Sequence, residues 1–444
     1  MPRVTDFQKI RKALITLTTI YMAFRNNYAP RGGSYGGSNT NSRFQGSGRG
    51  SSYGGGGNRG PNRGGGGRGR RPESTIDERK FVSKAKPMAE TAPYVHSFEF
   101  NDLAINEILK KNILSKGFAT PMPIQDQTIP HILAGKDMLG IANTGTGKTA
   151  AFLIPIIDKI SKNPAEKCLI ITPTRELAEQ IADELYLLTW DLRMSGAMCI
   201  GGASMSSQIS QLRRNPQFVV GTPGRLKDLL DRKILNLSNI GTIVLDEVDR
   251  MLDMGFINDI KYLIGYLPKE RQSLFFSATM DPRIESIINM ILKRDHVKVS
   301  VKTGETAQHV DQDVIRVGSR EEKIDKLAEL LKRDEFEKVL VFVNMKWHVD
   351  KLEKILKDMS FKVESIHGDK RQTQRSRAIE NFKAGKANIL LATDVAARGL
   401  DISNITHVIN FDIPNSFEDY IHRIGRTGRA NKTGIALTFV PNRG

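Results

Sequence analysis

Cysteine is nearly missing from this chain: 444 residues contain two, Cys168 and Cys199. Both lie in apolar runs (CLIIT and AMCI), as buried thiols of a reducing compartment do, and a disulfide framework is excluded. No group of Cys and His has zinc spacing. Long hydrophobic runs are missing too. The run Ala13 to Phe24 follows Arg3, Lys9, Arg11 and Lys12, but it is too short to span a bilayer, contains three threonines and precedes no small-residue cleavage site. No membrane association is expected, and the expected location is cytoplasmic. Aliphatic side chains all but vanish between residues 31 and 70, which hold 17 of the 39 glycines, so this stretch cannot offset its backbone entropy.

What is present points to a two-domain protein with a basic tail. The length exceeds one ordinary core, and an apolar content of 39% is normal for a folded chain. The net charge of +17 is uneven: residues 1–90 hold 17 Lys and Arg against 5 Asp and Glu, leaving 49 against 44 for the rest. A basic tail implies a polyanionic partner. Residues 1–93 are read as tail and 28–71 as disordered, with Arg-Gly-Gly steps at Arg31 and Arg63. Single aromatics at Tyr28, Tyr35, Phe44 and Tyr53 suit non-specific contact with single-stranded nucleic acid. The abrupt change of composition just after Met22 makes that residue a candidate start.

The sequence is organised around ANTGTGKT, Ala142 to Thr149, which follows the apolar run Met138 to Ile141 and precedes a helix interrupted by Pro155. A strand opening into such a loop is the layout in which backbone N–H groups cradle phosphates. Thr144, Gly145, Thr146 and Gly147 form the cradle, Lys148 reaches the outer phosphates, and the Thr149 hydroxyl can ligate Mg²⁺. ATP and Mg²⁺ are therefore expected.

Globular sequence begins near residue 94. A helix is expected over 104–116, then CLIIT, AMCI, FVV, TIVL and SLFF alternate with helical patterns. After a polar stretch at 302–320, read as a linker, VLVFV, KVESI, NILLA, HVINF and IALTFV alternate with helices at 321–334, 346–359, 371–384 and 416–424. Such alternation predicts an α/β fold with two parallel sheets, in domains 94–301 and 321–444, with ligands at the carboxyl ends of the strands. Only the first domain has a phosphate loop. Directly after TIVL comes Asp246-Glu247-Val248-Asp249. Asp246 is the candidate metal residue and Glu247 the candidate general base for an attacking water.

GFATPMPIQ, ANTGTGKT, PTRELA, Gly201-Gly202, TPGR, DEVD, SAT, VFVN, Gln372 with Arg375, ATDVAARGLDI and HRIGRTGR occur in one order over residues 98–440. The set resembles the DEAD-box RNA helicases, with their tandem RecA-like domains, and is similar to the bacterial RhlE type, although here the Arg-Gly tract is N-terminal. The resemblance implies an ATP-dependent RNA helicase that unwinds short duplexes and remodels RNA–protein complexes. It implies that Gln125 reads the adenine edge, that Phe100 packs on the base, and that Gly399 and Asp401 hold the nucleotide in the closed state. Arg426 and Arg429 are then arginine fingers. Thr174, Arg175, Gly202, Thr222, Arg225, Arg375 and Thr393 contact RNA backbone, while Asp249, Ser277, Thr279 and His422 couple the two sites. Val248 stands where the family has Ala, and Met122 where Thr is common. The chain stops directly after its last expected strand, where relatives continue into a further helix, so a shortened second domain is expected. An RNA-binding scaffold with a vestigial ATPase, or a DNA helicase on the same core, is the alternative. The intact set of Lys148, Asp246, Glu247, Arg426 and Arg429 argues against the scaffold.

Overall fold

The computed structural model describes residues 76–85, 94–143, 145–280, 282–301, 309–397, 402, 404–428 and 433–442. The expectations for residues 28–71, and the assignments to Thr144, Gly399, Asp401 and Arg429, lie outside the described residues. The tetrapeptide runs CLII (β2, Cys168–Ile171), FVVG (β4, Phe218–Gly221) and TIVL (β5, Thr242–Leu245) are apolar but for Thr242 and buried at every position, as strands covered on both faces are. With β1 (Met138–Ala142), β3 (Gly196–Cys199), β6 (Gln272–Ser277) and β7 (Val297–Val301) they form a seven-stranded parallel sheet in the order β3-β4-β2-β5-β6-β1-β7. Alternate residues divide between its faces: Ile170, Val244 and Leu274 pack into one core, and Leu169, Ile243 and Phe275 into the other.

A second parallel sheet has the order β10-β11-β9-β12-β13-β8. Its strands are β8 (Val310–Val317), β9 (Val339–Phe342), β10 (Val363–Ile366), β11 (Ile389–Ala392), β12 (His407–Asn410) and β13 (Gly434–Pro441). It too has a core on each face. The expected helices are observed at Glu107–Ser115, Arg320–Leu331, Lys346–Asp358, Gln372–Lys383 and Phe417–Ile424. Among the described residues no helix is long and apolar enough to cross a membrane.

Four expectations need correction. Residues 310–317 are not linker but β8, an edge strand paired along its length with β13. Its exposed and intermediate positions carry Asp311, Asp313 and Arg316, and that polarity hides the strand. Residues 76–85 are not free tail, since Phe81 is fully buried in the second sheet's edge cluster. Strand β7 went unread because Lys298 and Ser300 interrupt its apolar positions. Pro155 does not interrupt its helix, which runs unbroken from Lys148 to Lys162 with all but four residues buried. Tertiary burial there outweighs the lost hydrogen bond.

Candidate active site

Because the first sheet is parallel, the segments after β1, β2, β4, β5 and β6 all emerge on one edge. The phosphate loop after β1 turns at Gly147, with φ of +89°, and a Cβ there would stand 2.5 Å from Gln125 Nε2, so the position requires glycine. Lys148 is buried and its Nζ donates to the carbonyl of Ala142, 2.9 Å away. Thr146 Oγ1 donates to the Asn143 carbonyl at 2.8 Å. Thr149, on the first helical turn, is half-buried. Gln125 donates from Nε2 to the Gly147 carbonyl at 3.0 Å and accepts at Oε1 from the Met122 backbone N–H at 2.8 Å. One amide hydrogen and one lone pair are left for a base edge. Phe100 has no exposed surface; its ring meets Phe98 edge-on and lies 6.4 Å from Phe118. Packing on a base would require this ring to leave the core, so that assignment is not met in this conformation.

Asp246, at the end of β5, is 2% exposed. Burial pushes its carboxyl up to about 6, the Lys148 charge opposes this, and the neighbouring Glu247 carboxylate adds to it. Glu247 is in the left-handed region, φ 53° and ψ 53°, an uncommon conformation for a non-glycine residue. Its Oε2 pairs with Arg250 Nη1, both side chains being 7% exposed. Val248 is fully buried in the core with Met251 and Leu245, so its two extra methyls have a packed place. Asp249 Oδ2 accepts from the backbone N–H groups of Ala278 and Thr279, each at 3.0 Å, and from Thr279 Oγ1 at 3.3 Å. The acidic loop is thereby fastened to the segment after β6. Ser277 Oγ is buried without a protein hydrogen-bond partner.

The arginines assigned to RNA gather across the two lobes. Gly202 has φ of +76°, and a Cβ there would run into Arg175 Nη1, so the guanidinium lies directly on this glycine loop. Burial and then the Arg375 charge hold Arg175 below the usual arginine range, with Arg225 a further cause. Arg375 Nη2 pairs with Glu176 at 2.7 Å, and both side chains are buried. Arg225 Nη1 and Arg375 Nε are buried with no protein hydrogen-bond partner, an arrangement that favours an anion. Thr174 caps its helix through Oγ1 to the Leu177 N–H, whereas Thr222, at the start of Pro223–Asp231, makes no side-chain cap. Thr393 is buried at the end of β11.

Sequence reading missed the contacts that join the lobes. Gln372 Nε2 donates to Glu179 Oε1 at 3.0 Å and Ser376 Oγ to Glu179 Oε2 at 2.9 Å. Burial, then the charges of Asp253 and Asp249 of the first lobe, raise the carboxyl of Glu418 in Phe417–Ile424. Sequence reading also missed Arg423, which is 1% exposed. It donates to Asp394 through Nε and Nη2, both 2.6 Å, to Asn344 Oδ1 at 2.7 Å and to the Asp412 carbonyl at 2.6 Å. It therefore gathers the carboxyl ends of β9, β11 and β12 onto one helix. Arg426 follows one turn later, buried, its Nε donating to the His422 carbonyl at 3.3 Å. His422 Nε2 lies 3.9 Å from Glu418 Oε1.

A family model described as DEAD/DEAH box helicase matches residues 122–287, and one described as Helicase conserved C-terminal domain matches residues 322–431. The DEAD-box ATP-dependent RNA helicase CshA of Bacillus subtilis (strain 168) is 46% identical over 346 residues, 78% of this chain and 70% of that protein. The chain belongs to the DEAD-box family. A second DEAD-box relative, CshA of Geobacillus kaustophilus (strain HTA426), is also 46% identical, over 78% of this chain and 74% of its own length. These names correct the subclass: CshA differs from the RhlE type to which the motifs had been likened. Among solved DEAD-box structures, S. cerevisiae Dbp5 bound to RNA and ADP BeF3 is 29% identical with a TM-score of 0.68, covering 78% of this chain and 90% of that one. Mss116p bound to ssRNA and AMP-PNP is 29% identical with a TM-score of 0.70, covering 79% and 76%.

Proposed function

We propose that the chain is an RNA-stimulated ATPase that uses hydrolysis of ATP to open short RNA duplexes locally and to remodel RNA–protein complexes. The observation that carries this is the meeting of Lys148, Asp246 and the Arg250-held Glu247 on one sheet edge, in a chain that also gathers a cluster of arginines from both lobes. Asp246 and the Thr149 hydroxyl would hold Mg²⁺, since both offer the oxygen ligands a hard cation takes and a buried carboxylate gains from its charge. When bound, the ion would neutralise charge developing on the phosphate oxygens.

Lys148 holds the outer phosphates, Glu247 orients and deprotonates the attacking water, and Arg426 and Arg429 stabilise the departing phosphoryl group from the second lobe. Gly399 and Asp401 would hold the nucleotide. Arg175, Arg225 and Arg375, with Thr174, Gly202, Thr222 and Thr393, read phosphate and sugar rather than base edges, so recognition is largely independent of sequence. Two buried free thiols support a reducing, cytoplasmic setting.

Glu247→Gln tests the chemistry. It keeps the shape of the side chain and removes the base, so turnover falls by about 10² or more while ATP and RNA still bind together; full hydrolysis by this variant would refute the assignment. Stimulation of ATPase by RNA but not DNA of the same length is the expected substrate result, and stimulation by DNA alone would reverse the reading.

A further inference from the structure

Residues 76–85 precede the first lobe in the chain but dock on the second. Ser83 exchanges backbone hydrogen bonds with Gln312, at 3.0 and 2.8 Å, an antiparallel bridge on the outer edge of β8. The Ala85 N–H donates to Asp311 Oδ1 at 3.0 Å, and Glu78 pairs with Arg316 at 3.1 Å. Phe81 closes the short 3₁₀ helix Glu78–Phe81 and is fully buried, its ring 4.7 Å from that of Tyr420. The Tyr420 hydroxyl donates to Gln312 Oε1 at 2.9 Å, and Lys80 stands over the Phe417 ring. Neither family model reaches this segment.

Phe417, Tyr420 and Ile424 belong to the helix that leads into Arg426. Arg423 fixes this helix to the ends of β9, β11 and β12, and Phe81 fixes it to β8 and β13. We propose that Phe81 is a positioning residue for ATP hydrolysis, setting through Tyr420 the seat of the Phe417–Ile424 helix and hence of Arg426. This rests on the reading of Arg426 as an arginine finger. A helix is rigid along its length, so emptying the space beside Tyr420 moves its last turn, and misplacement by about 1 Å costs a charge-stabilising group up to about 10² in rate. ATP is held mainly by groups of the first lobe, so the loss falls on the chemical step and not on binding.

The test uses the full chain, with kcat and KM for ATP at saturating RNA for Phe81→Ala, Phe81→Leu, Arg426→Ala and the double variant Phe81→Ala/Arg426→Ala. Phe81→Ala is expected to lower kcat by about five-fold or more with KM within about two-fold, Phe81→Leu to recover most of it, and Phe81→Ala to add less than about two-fold once Arg426 is gone. Full turnover by Phe81→Ala, or the same fold-loss with and without Arg426, would overturn the positioning role alone. Full turnover by Arg426→Ala would overturn the arginine-finger reading and this inference with it. Where Phe81→Ala unfolds at the assay temperature, Phe81→Val carries the same test, because it removes the ring that packs on Tyr420 and leaves a smaller void. It is expected to lower kcat in the same direction, and unchanged kcat overturns the role.

Discussion

Glu247 and Arg250 form a buried pair three residues apart, one holding a left-handed backbone and the other closing over its carboxylate. Removing the arginine leaves a buried charge without its partner, which costs about 3 kcal/mol or more. Arg250→Ala is therefore expected to lower the thermal midpoint and kcat together, measured by calorimetry and ATPase assay, and Glu247→Gln, which leaves the Arg250 charge buried without its carboxylate, lowers the midpoint as well as kcat. Gly147 makes a sharper case. An alanine there meets Gln125 Nε2 at 2.5 Å and Met122 Sδ at 2.7 Å and must also hold φ at +89°. Gly147→Ala is expected to raise KM for ATP by about ten-fold or more, and ATP titration of the variant checks this.

At the scale of the element, His407 on β12 is 3% exposed and stacks on Phe336 with ring centroids 3.9 Å apart. Burial pushes its imidazole from the usual 6.5 down to about 4. Between those two values only the unfolded chain takes up a proton, so the second lobe loses stability as pH falls from about 6.5 to about 4 and is unaffected above 7. Thermal midpoints of His407→Gln are expected to fall less steeply over that range than those of the unaltered chain.

Strands such as β2 and β5 were legible because a parallel strand covered on both faces is buried at every position and so reads as a nearly continuous apolar run. β7 and β8 lie at sheet edges, where one side meets water and the apolar signal is broken by Lys298, Asp311 and Asp313. The phosphate loop and the DEVD acids were readable because their chemistry demands fixed residue types in a short window. Glu179, Gln372 and Arg423 act only through partners distant in sequence, and no local pattern encodes those pairings. Phe81 stands among charged residues, and its burial depends on Tyr420, 339 positions later.

For the whole molecule, the basic stretch 28–71 carries eight arginines and no acid. Deleting it is expected to flatten the dependence of RNA affinity on salt and to weaken binding at low salt, with basal ATPase unchanged, as titrations at several salt concentrations would record. The lobes meet through the Glu176–Arg375 pair and the Glu179 hydrogen bonds. Residues 76–85 dock on the second lobe as well, so a segment that precedes the first lobe in the chain adds to the edge of the second sheet.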